Sequence, residues 1–252
     1  MSFFIRTYLL LLWFCTAQMA RGGMRPHSEL TSNCFGFPAS NFDRDHCIEG
    51  EHGTTPVMML DEDQDAIDFT LHDPHGNAWN LRDALDGRKM PVVMIWGMYT
   101  CPAYQGMGTS PPWEKCGYRD EYDLVESHKD RATFIHLYGA EPHPVSPATN
   151  FDHGITVTNY WSTVGQAMTY QERLGMAARI QHLTHPAQVM LLDYLPGNPY
   201  SDLIQPVWCS YSLGARPAIV ISPEGTVFFQ QEWLQTEELG NAIDRFWAAK
   251  SD

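Results

Sequence analysis

The chain has few basic residues, and it lacks a C-x-x-C cysteine pair, internal repeats and low-complexity tracts. Its 252 residues include 16 lysines and arginines against 30 acidic residues, for a formal net charge of −14 at pH 7. This charge argues against binding to nucleic acid and against a basic patch for anionic lipid. The cysteines and histidines show no spacing typical of zinc sites, so we predict no metal and no bound cofactor. Apolar residues make up 44% of the chain, which is enough for a sizeable core.

Long apolar runs are also missing except at the N-terminus, where residues 1–20 form one hydrophobic segment. Residues 8–17 are uncharged and lie between Arg6 and Arg21, and their length is typical of the core of a signal peptide. Counted from residue 3 to residue 20, the segment just reaches the length of a membrane span. Two alternatives remain open, a signal peptide of an exported protein and a single N-terminal membrane anchor of undetermined orientation.

The rest of the chain divides into two regions. Residues 21–66 are polar and irregular, which predicts a linker, and Cys34 and Cys47 within it could form a disulfide if the chain is exported. From residue 67 onward, strand-like apolar runs alternate with helical patterns, so residues 67–252 are expected to form one α/β domain. The predicted strands are 67–71, 91–96, 132–138, 188–193 and a hairpin of 218–221 with 227–229. The predicted helices are 82–85 (closed by Gly87), 166–183, 200–208, 236–247 and one that follows Cys101, is interrupted at 106–112 and resumes over 121–129.

One cysteine stands where the apolar run 91–96 is expected to end. Gly97 follows the run, Thr100 could cap a helix, and Pro102 would occupy the first helical turn, where its missing N–H costs nothing. Cys101 would then lie at the positive end of the helix dipole, which favours the reactive thiolate. This is the active-site arrangement of thioredoxin-like proteins. Tyr104 occupies the place of the second cysteine of C-x-x-C, so we predict a single nucleophile; the alternative is a buried, inert cysteine.

A second mark of a thioredoxin-like fold is Arg216-Pro217, immediately before the strand predicted at 218–221. In such folds a cis proline stands at this point, opposite the active-site turn, and we predict a cis Pro217. Two further cysteines, Cys116 and Cys209, are either resolving partners for Cys101 or buried thiols. We interpret Cys209 as a buried thiol and leave both alternatives open for Cys116.

Two segments together resemble a known family. Residues 97–104, Gly-Met-Tyr-Thr-Cys-Pro-Ala-Tyr, resemble the G-S-C-T-(Sec)-P-P-F turn of the iodothyronine deiodinases, with Cys101 at the selenocysteine position. Residues 137–144 resemble the I-Y-I-E-E-A-H-P loop of that family, in which Glu141, His143 and Pro144 fall on matching positions. The resemblance extends over about residues 67–247 with looser identity. It departs at Tyr99, where the family has a cysteine, and at 230–233, where the family has a basic, glycine-rich turn.

The resemblance implies a thioredoxin-like fold with peroxiredoxin/deiodinase-type insertions, in which a central mixed β-sheet is flanked by helices. It also implies reductive deiodination, or dehalogenation, of iodothyronine-like aromatic compounds. Cys101 would attack the halogen, His143 would supply a proton, Glu141 would orient His143, and an external thiol would regenerate the enzyme. Family members are homodimers, so a homodimer is expected. The residues assigned to substrate contact are Thr100, Pro102, Tyr104, Arg216 and Pro217.

Two other functions compete with this one. Thiol peroxidases of the peroxiredoxin type share the fold, but they carry Thr or Ser three residues before their cysteine, and Met98 stands there in this chain. The other alternative is a thioredoxin-like binding protein without catalysis. A raised pKa at Cys101 would favour that alternative, because an inert thiol does not need to ionise.

Overall fold

The computed structural model of the protein describes residues 23–32, 58–107, 115–141, 165–214 and 216–250. The N-terminal apolar segment, Cys34, Cys47 and His143 lie outside these residues, so the predictions about them stay predictions. Within the described ranges, no helix has the length and apolar character needed to cross a membrane.

The described residues form one seven-stranded sheet of mixed direction. The strands are β1 (Thr70–His72), β2 (Ala78–Asn80), β3 (Val92–Trp96), β4 (Thr133–Tyr138), β5 (Gln188–Leu192), β6 (Ala218–Ile221) and β7 (Val227–Gln231). Their order is β2-β1-β5-β4-β3-β6-β7. β4 pairs in parallel with β3 and with β5, whereas the other pairs are antiparallel. β3 and β4 are buried along their whole length, which explains their continuous apolar sequence.

Five α-helices accompany the sheet in the described part of the chain. They are α1 (Leu81–Arg88), α2 (Tyr118–His128), α3 (Tyr170–Ile180), α4 (Pro206–Tyr211) and α5 (Thr236–Ala248). α3 begins with a capping box, in which the Thr169 hydroxyl accepts from the Glu172 N–H and the Glu172 carboxylate accepts from the Thr169 N–H. The predicted α/β fold, with a mixed sheet flanked by helices, is confirmed. Cys101 follows β3 and Pro217 precedes β6, as expected of a thioredoxin-like fold.

Several helix boundaries differ from those predicted. α1 continues through Gly87 to Arg88, and Lys89, which follows it, adopts the left-handed conformation with φ of 56°. The helix predicted at 200–208 begins only at Pro206, because the Asn198 side chain accepts from the N–H groups of Tyr200 and Ser201 and holds that segment in a turn. Local side-chain hydrogen bonds replace helical ones in that segment.

The predicted linker, where it is described, packs against the domain. Met24, Leu30 and Leu60 are buried. The Arg25 N–H donates to the Ala66 carbonyl at 2.7 Å, so residues 23–32 lie against the start of the domain. Residues 23–32 and 58–66 therefore add to the core, which differs from the irregular linker that their polar composition predicts.

Candidate active site

Cys101 lies on a turn that follows β3 directly. The Gly97 N–H donates to the Leu137 carbonyl of β4 at 3.2 Å, which continues the strand pairing by one residue. Glycine is required at this position, because a Cβ would lie 2.5 Å from the His136 ring and 2.7 Å from the Tyr104 ring. The turn therefore begins with its backbone pressed against two buried rings.

The described segment after Cys101 consists of turns instead of the predicted helix. The Gln105 N–H donates to the Cys101 carbonyl at 3.1 Å, which closes a single helical turn. Gly106 then adopts a φ of +77° and turns the backbone away from the helical path. The predictions that Thr100 caps a helix and that Cys101 lies at its positive end are wrong. The thiol therefore receives no stabilisation from a helix dipole there.

The Cys101 side chain is buried, with only 1% of the residue exposed. Its Sγ accepts a hydrogen bond from the Tyr104 N–H at 3.5 Å. Burial raises the pKa of Cys101 to about 11, and the Tyr104 N–H and the positive charge of Arg216 offset only part of this effect. Cys101 is therefore a thiol in this structure at neutral pH, which corrects the prediction of a thiolate.

Glu141 holds the turn in place from the end of β4. One oxygen of its buried carboxylate accepts from the backbone N–H and from the hydroxyl of Thr100, both at 2.7 Å. The other oxygen accepts from the hydroxyl of Tyr138. Burial raises the pKa of Glu141, although these hydrogen bonds oppose the shift. The sequence analysis predicted that Glu141 orients His143. In the described structure, its side chain instead positions Thr100, the residue before Cys101.

Arg173 is a buried charge near Glu141 that the sequence analysis missed. Its guanidinium donates to the Asp193 carbonyl at 2.8 Å and to the Gln205 side chain at 2.9 Å. Its positive charge favours the ionised forms of the Glu141 and Asp193 carboxylates. Burial nevertheless raises the pKa of Asp193 to about 6. Arg173 lies seven positions before Ile180, on the buried face of α3. This helical spacing is the signal that could have identified it.

Arg216 is a second charged residue beside the turn, and it is fully buried. Its guanidinium donates to the Trp96 carbonyl at 2.5 Å, to the Cys116 carbonyl at 2.9 Å and to the Glu121 carboxylate at 2.5 Å. The guanidinium carbon lies 4.9 Å from the centroid of the Tyr104 ring. These contacts are internal, so they do not support the predicted contact between Arg216 and a substrate.

Glu121 and His136 complete an ion cluster around Arg216. Burial alone would raise the pKa of Glu121, but Arg216 and His136 hold it at about 2. His136 Nδ1 lies 2.9 Å from the Glu121 carboxylate, and its Nε2 lies 2.9 Å from the Gly97 carbonyl. Carboxylate and carbonyl oxygens only accept hydrogen bonds, so both ring nitrogens of His136 face acceptors. Arg216 and His136 therefore share the Glu121 carboxylate beneath the start of the turn.

The other three residues predicted to contact a substrate differ in their exposure to solvent. Pro102 is partly exposed, whereas Tyr104 is buried and its hydroxyl has no hydrogen-bond partner among the described residues. Pro217 is buried, and its carbonyl accepts from the Trp96 N–H at 3.1 Å, which anchors the turn to β6. Of these three residues, Pro102 presents the largest fraction of its surface to solvent.

The described cysteines are in two chemical states. Cys101 and Cys116 are both buried and reduced. Cys209 is disulfide-bonded, and its partner must lie outside the described residues because the other two described cysteines are reduced. The interpretation of Cys209 as a buried thiol is therefore wrong. Because it is already in a disulfide, Cys209 has no thiol that could resolve an oxidised Cys101.

The described residues contain no group of three or more His, Cys, Asp or Glu side chains that could hold a metal ion.

We expect Glu141→Ala to loosen the turn and to expose Cys101. The substitution removes the carboxylate that accepts from the N–H and hydroxyl of Thr100 and from the hydroxyl of Tyr138, so stability should fall by about 1–3 kcal/mol. Alkylation of Cys101 by iodoacetamide, followed by mass spectrometry at fixed pH, should be faster than in the wild type. Glu141→Gln retains an acceptor and serves as the matched control with a smaller change. Equal alkylation rates in all three proteins would show that Glu141 does not hold the turn.

Comparison with solved structures finds proteins whose fold is similar to that of this chain. No family model matches the chain, and no curated protein matches it. A thiol-disulfide oxidoreductase from Bacteroides fragilis NCTC 9343 is 13% identical, over 73% of this chain and 99% of that one, with a TM-score of 0.43. The thioredoxin domain of a thiol-disulfide oxidoreductase from Bacteroides vulgatus is 15% identical, over 74% and 98%, with a TM-score of 0.44. At these values the activity must be argued from the site itself.

Proposed function

We propose that the protein is a thiol-dependent oxidoreductase that removes iodine reductively from iodinated aromatic compounds, with Cys101 as the nucleophile. The observation that carries the proposal is the position of Cys101: a reduced cysteine on a turn after a central strand. Glu141 accepts from the turn at Thr100, and the Arg216 guanidinium donates to the Trp96 carbonyl just before the turn. The resemblance of residues 97–104 and 137–144 to the deiodinase motifs supports the choice of substrate class.

The proposed reaction begins with attack of the Cys101 thiolate on the halogen. The sulfur forms a bond to iodine, the carbon–iodine bond breaks, and its electron pair stays on the ring carbon. That carbon takes a proton, for which His143 is the proposed donor because the unperturbed pKa of histidine allows both protonation states near neutral pH. The products are the deiodinated ring and a sulfenyl iodide on Cys101. External thiol then reduces the sulfenyl iodide, which releases iodide and yields an oxidised external disulfide.

The buried state of Cys101 sets a condition on this reaction. With a pKa of about 11, only about one molecule in ten thousand carries the thiolate at pH 7. The turn must therefore open, or a substrate must replace part of the apolar surroundings, before the sulfur can attack. Pro102, the neighbour of Cys101, is partly exposed, so we expect an aromatic ring to approach past it.

The test is the release of iodide from thyroxine and iodotyrosines by purified protein with excess dithiothreitol. We expect wild-type protein to release iodide and Cys101→Ser to lose this activity, because a serine hydroxyl is a far weaker nucleophile toward iodine than a thiolate. Met107→Ala is the control, because Met107 lies at the exposed end of the same turn and contributes no reactive group. A Cys101→Ser variant with wild-type turnover would overturn the mechanism.

A thioredoxin-like binding protein without catalysis is the second candidate. The specific observation in its favour is the raised pKa of Cys101, which burial keeps protonated. Under this alternative, reduced wild-type protein would release no iodide between pH 7 and pH 9, and it would match Cys101→Ser at every pH.

Export of the protein is part of the proposal. The disulfide at Cys209 supports it, since disulfides persist mainly in oxidising compartments. The proposal requires an external thiol reductant and an aromatic substrate, and it includes no metal or bound cofactor. The homodimer and the N-terminal anchor or signal peptide stay predictions.

A further inference from the structure

We propose that Cys116 is the resolving cysteine of this site and that it forms an intramolecular disulfide with Cys101 during turnover. This inference rests on the proposed function, because it needs Cys101 to be oxidised first. Both residues are buried and reduced. Among the described cysteines, Cys116 is the only reduced one besides Cys101, since Cys209 is already disulfide-bonded.

The backbone brings the two cysteine segments side by side. The Tyr118 N–H, two residues after Cys116, donates to the Tyr104 carbonyl, three residues after Cys101, at 2.7 Å. Gly117 follows Cys116, and a Cβ at Gly117 would lie 2.9 Å from the Gly106 Cα. The backbones of the two segments are therefore in contact without intervening side chains. The segment that carries Cys116 is thus packed directly on the Cys101 turn.

Arg216 links the two cysteines. Its Nε donates to the Cys116 carbonyl at 2.9 Å, and it is held in place by the Trp96 carbonyl and by Glu121. The positive charge of Arg216 lowers the pKa of both thiols against the effect of burial. One fixed cation therefore favours the thiolate first at the attacking sulfur and then at the resolving sulfur.

The burial of Cys101 explains why an internal partner is needed. With 1% of the residue exposed, its sulfur cannot meet the disulfide or thiol of another protein while the turn keeps this conformation. A thiol on the adjoining segment avoids this barrier. Cys116 is buried as well, so the external reductant reaches the internal disulfide only when the turn opens.

The proposed step balances in atoms and electrons. The Cys116 thiolate attacks the Cys101 sulfur of the sulfenyl iodide, a sulfur–sulfur bond forms, and iodide leaves with the electron pair of the sulfur–iodine bond. An external thiol then reduces the disulfide with two electrons and two protons, which restores both thiols. With hydrogen peroxide in place of the aromatic iodide, Cys101 becomes a sulfenic acid, and the same attack by Cys116 releases water.

The experiment treats the full-length reduced protein with one equivalent of hydrogen peroxide in the presence or absence of dimedone, which traps sulfenic acids. Non-reducing peptide mapping by mass spectrometry then locates the products. We expect a Cys101–Cys116 linkage in the wild type, with little dimedone on Cys101. We expect Cys116→Ser to lose this linkage and to accumulate the dimedone adduct on Cys101 at least several-fold. Cys116→Ala is a second variant in case serine is not tolerated in the buried site, and the wild-type linkage is measured without any variant.

The outcomes separate this inference from the proposed function. Equal dimedone labelling of Cys101 in wild type and in both Cys116 variants, without the linkage, would overturn the resolving role while leaving Cys101 as a reactive nucleophile. An unreactive Cys101 in all proteins would overturn both proposals. The native disulfide of Cys209 should persist in every map, and it serves as the internal check that the treatment did not reduce or reshuffle the other cysteines.

Discussion

Replacing Arg216 with methionine is expected to lower the free energy of unfolding by about 3–5 kcal/mol, because it removes the arginine that pairs with the buried Glu121 carboxylate. Arg216 and Glu121 are both buried, and their groups are 2.5 Å apart. Methionine fills much of the same volume, so lost packing contributes little. The Trp96 and Cys116 carbonyls also lose their donor, which adds to the loss of stability.

Urea denaturation at pH 7 measures this effect. The double variant Arg216→Met with Glu121→Gln should recover a large part of the lost stability, because the neutral amide no longer needs a cation. Arg25→Met is the matched control, since Arg25 forms an exposed ion pair with Glu29 and its loss should change stability little. If the single and double variants were equally unstable, the counter-charge explanation would be wrong.

Alkylation of Cys101 by iodoacetamide is expected to accelerate about tenfold per pH unit, or roughly a thousandfold between pH 7 and pH 10. The direction follows from the raised pKa: burial favours the thiol, so the thiolate population grows until the pH reaches about 11. A small thiol in solution, with a pKa near 8.5, should level off by about pH 9.5 and provides the reference. The same rise should appear in iodide release if thiolate formation limits the rate.

Mass spectrometry of the Cys101 peptide after timed quenching measures the rate. Cys101→Ser gives the background for this peptide. A rate that stops rising near pH 8 would mean that the pKa of Cys101 is ordinary or lowered, and the site would then resemble the thiolate arrangement predicted from sequence.

The strands that carry the site were predictable because burial imposes a local pattern. The apolar runs at 91–96 and 132–138 match β3 and β4 closely, since both faces of a central strand are covered. The position of Cys101 at the exit of β3 followed from the same pattern. The hairpin of β6 and β7 was also predictable, because the turn between them contains Pro223 and Gly225.

The conformation after Cys101 was not predictable in this way. Thr100 and Pro102 are both favourable at a helix start, so local rules predict a helix. In the structure, the hydroxyl and N–H of Thr100 bond to Glu141, which is 41 residues away in the chain. As a helix cap, the Thr100 hydroxyl would accept from a backbone N–H. In the structure it donates to a buried carboxylate instead, and only the folded chain brings the two together.

The sequence by itself determined the alternation of strands and helices, the acidic charge, and the position of the one cysteine that ends a central strand. These properties depend on local composition and period. The tertiary structure alone decided the protonation of Cys101, the pairing of Arg216 with Glu121 across 95 residues, and the place of Cys116 beside the turn. Each of these depends on burial and on partners distant in sequence. Packing creates those conditions, and no local pattern encodes them.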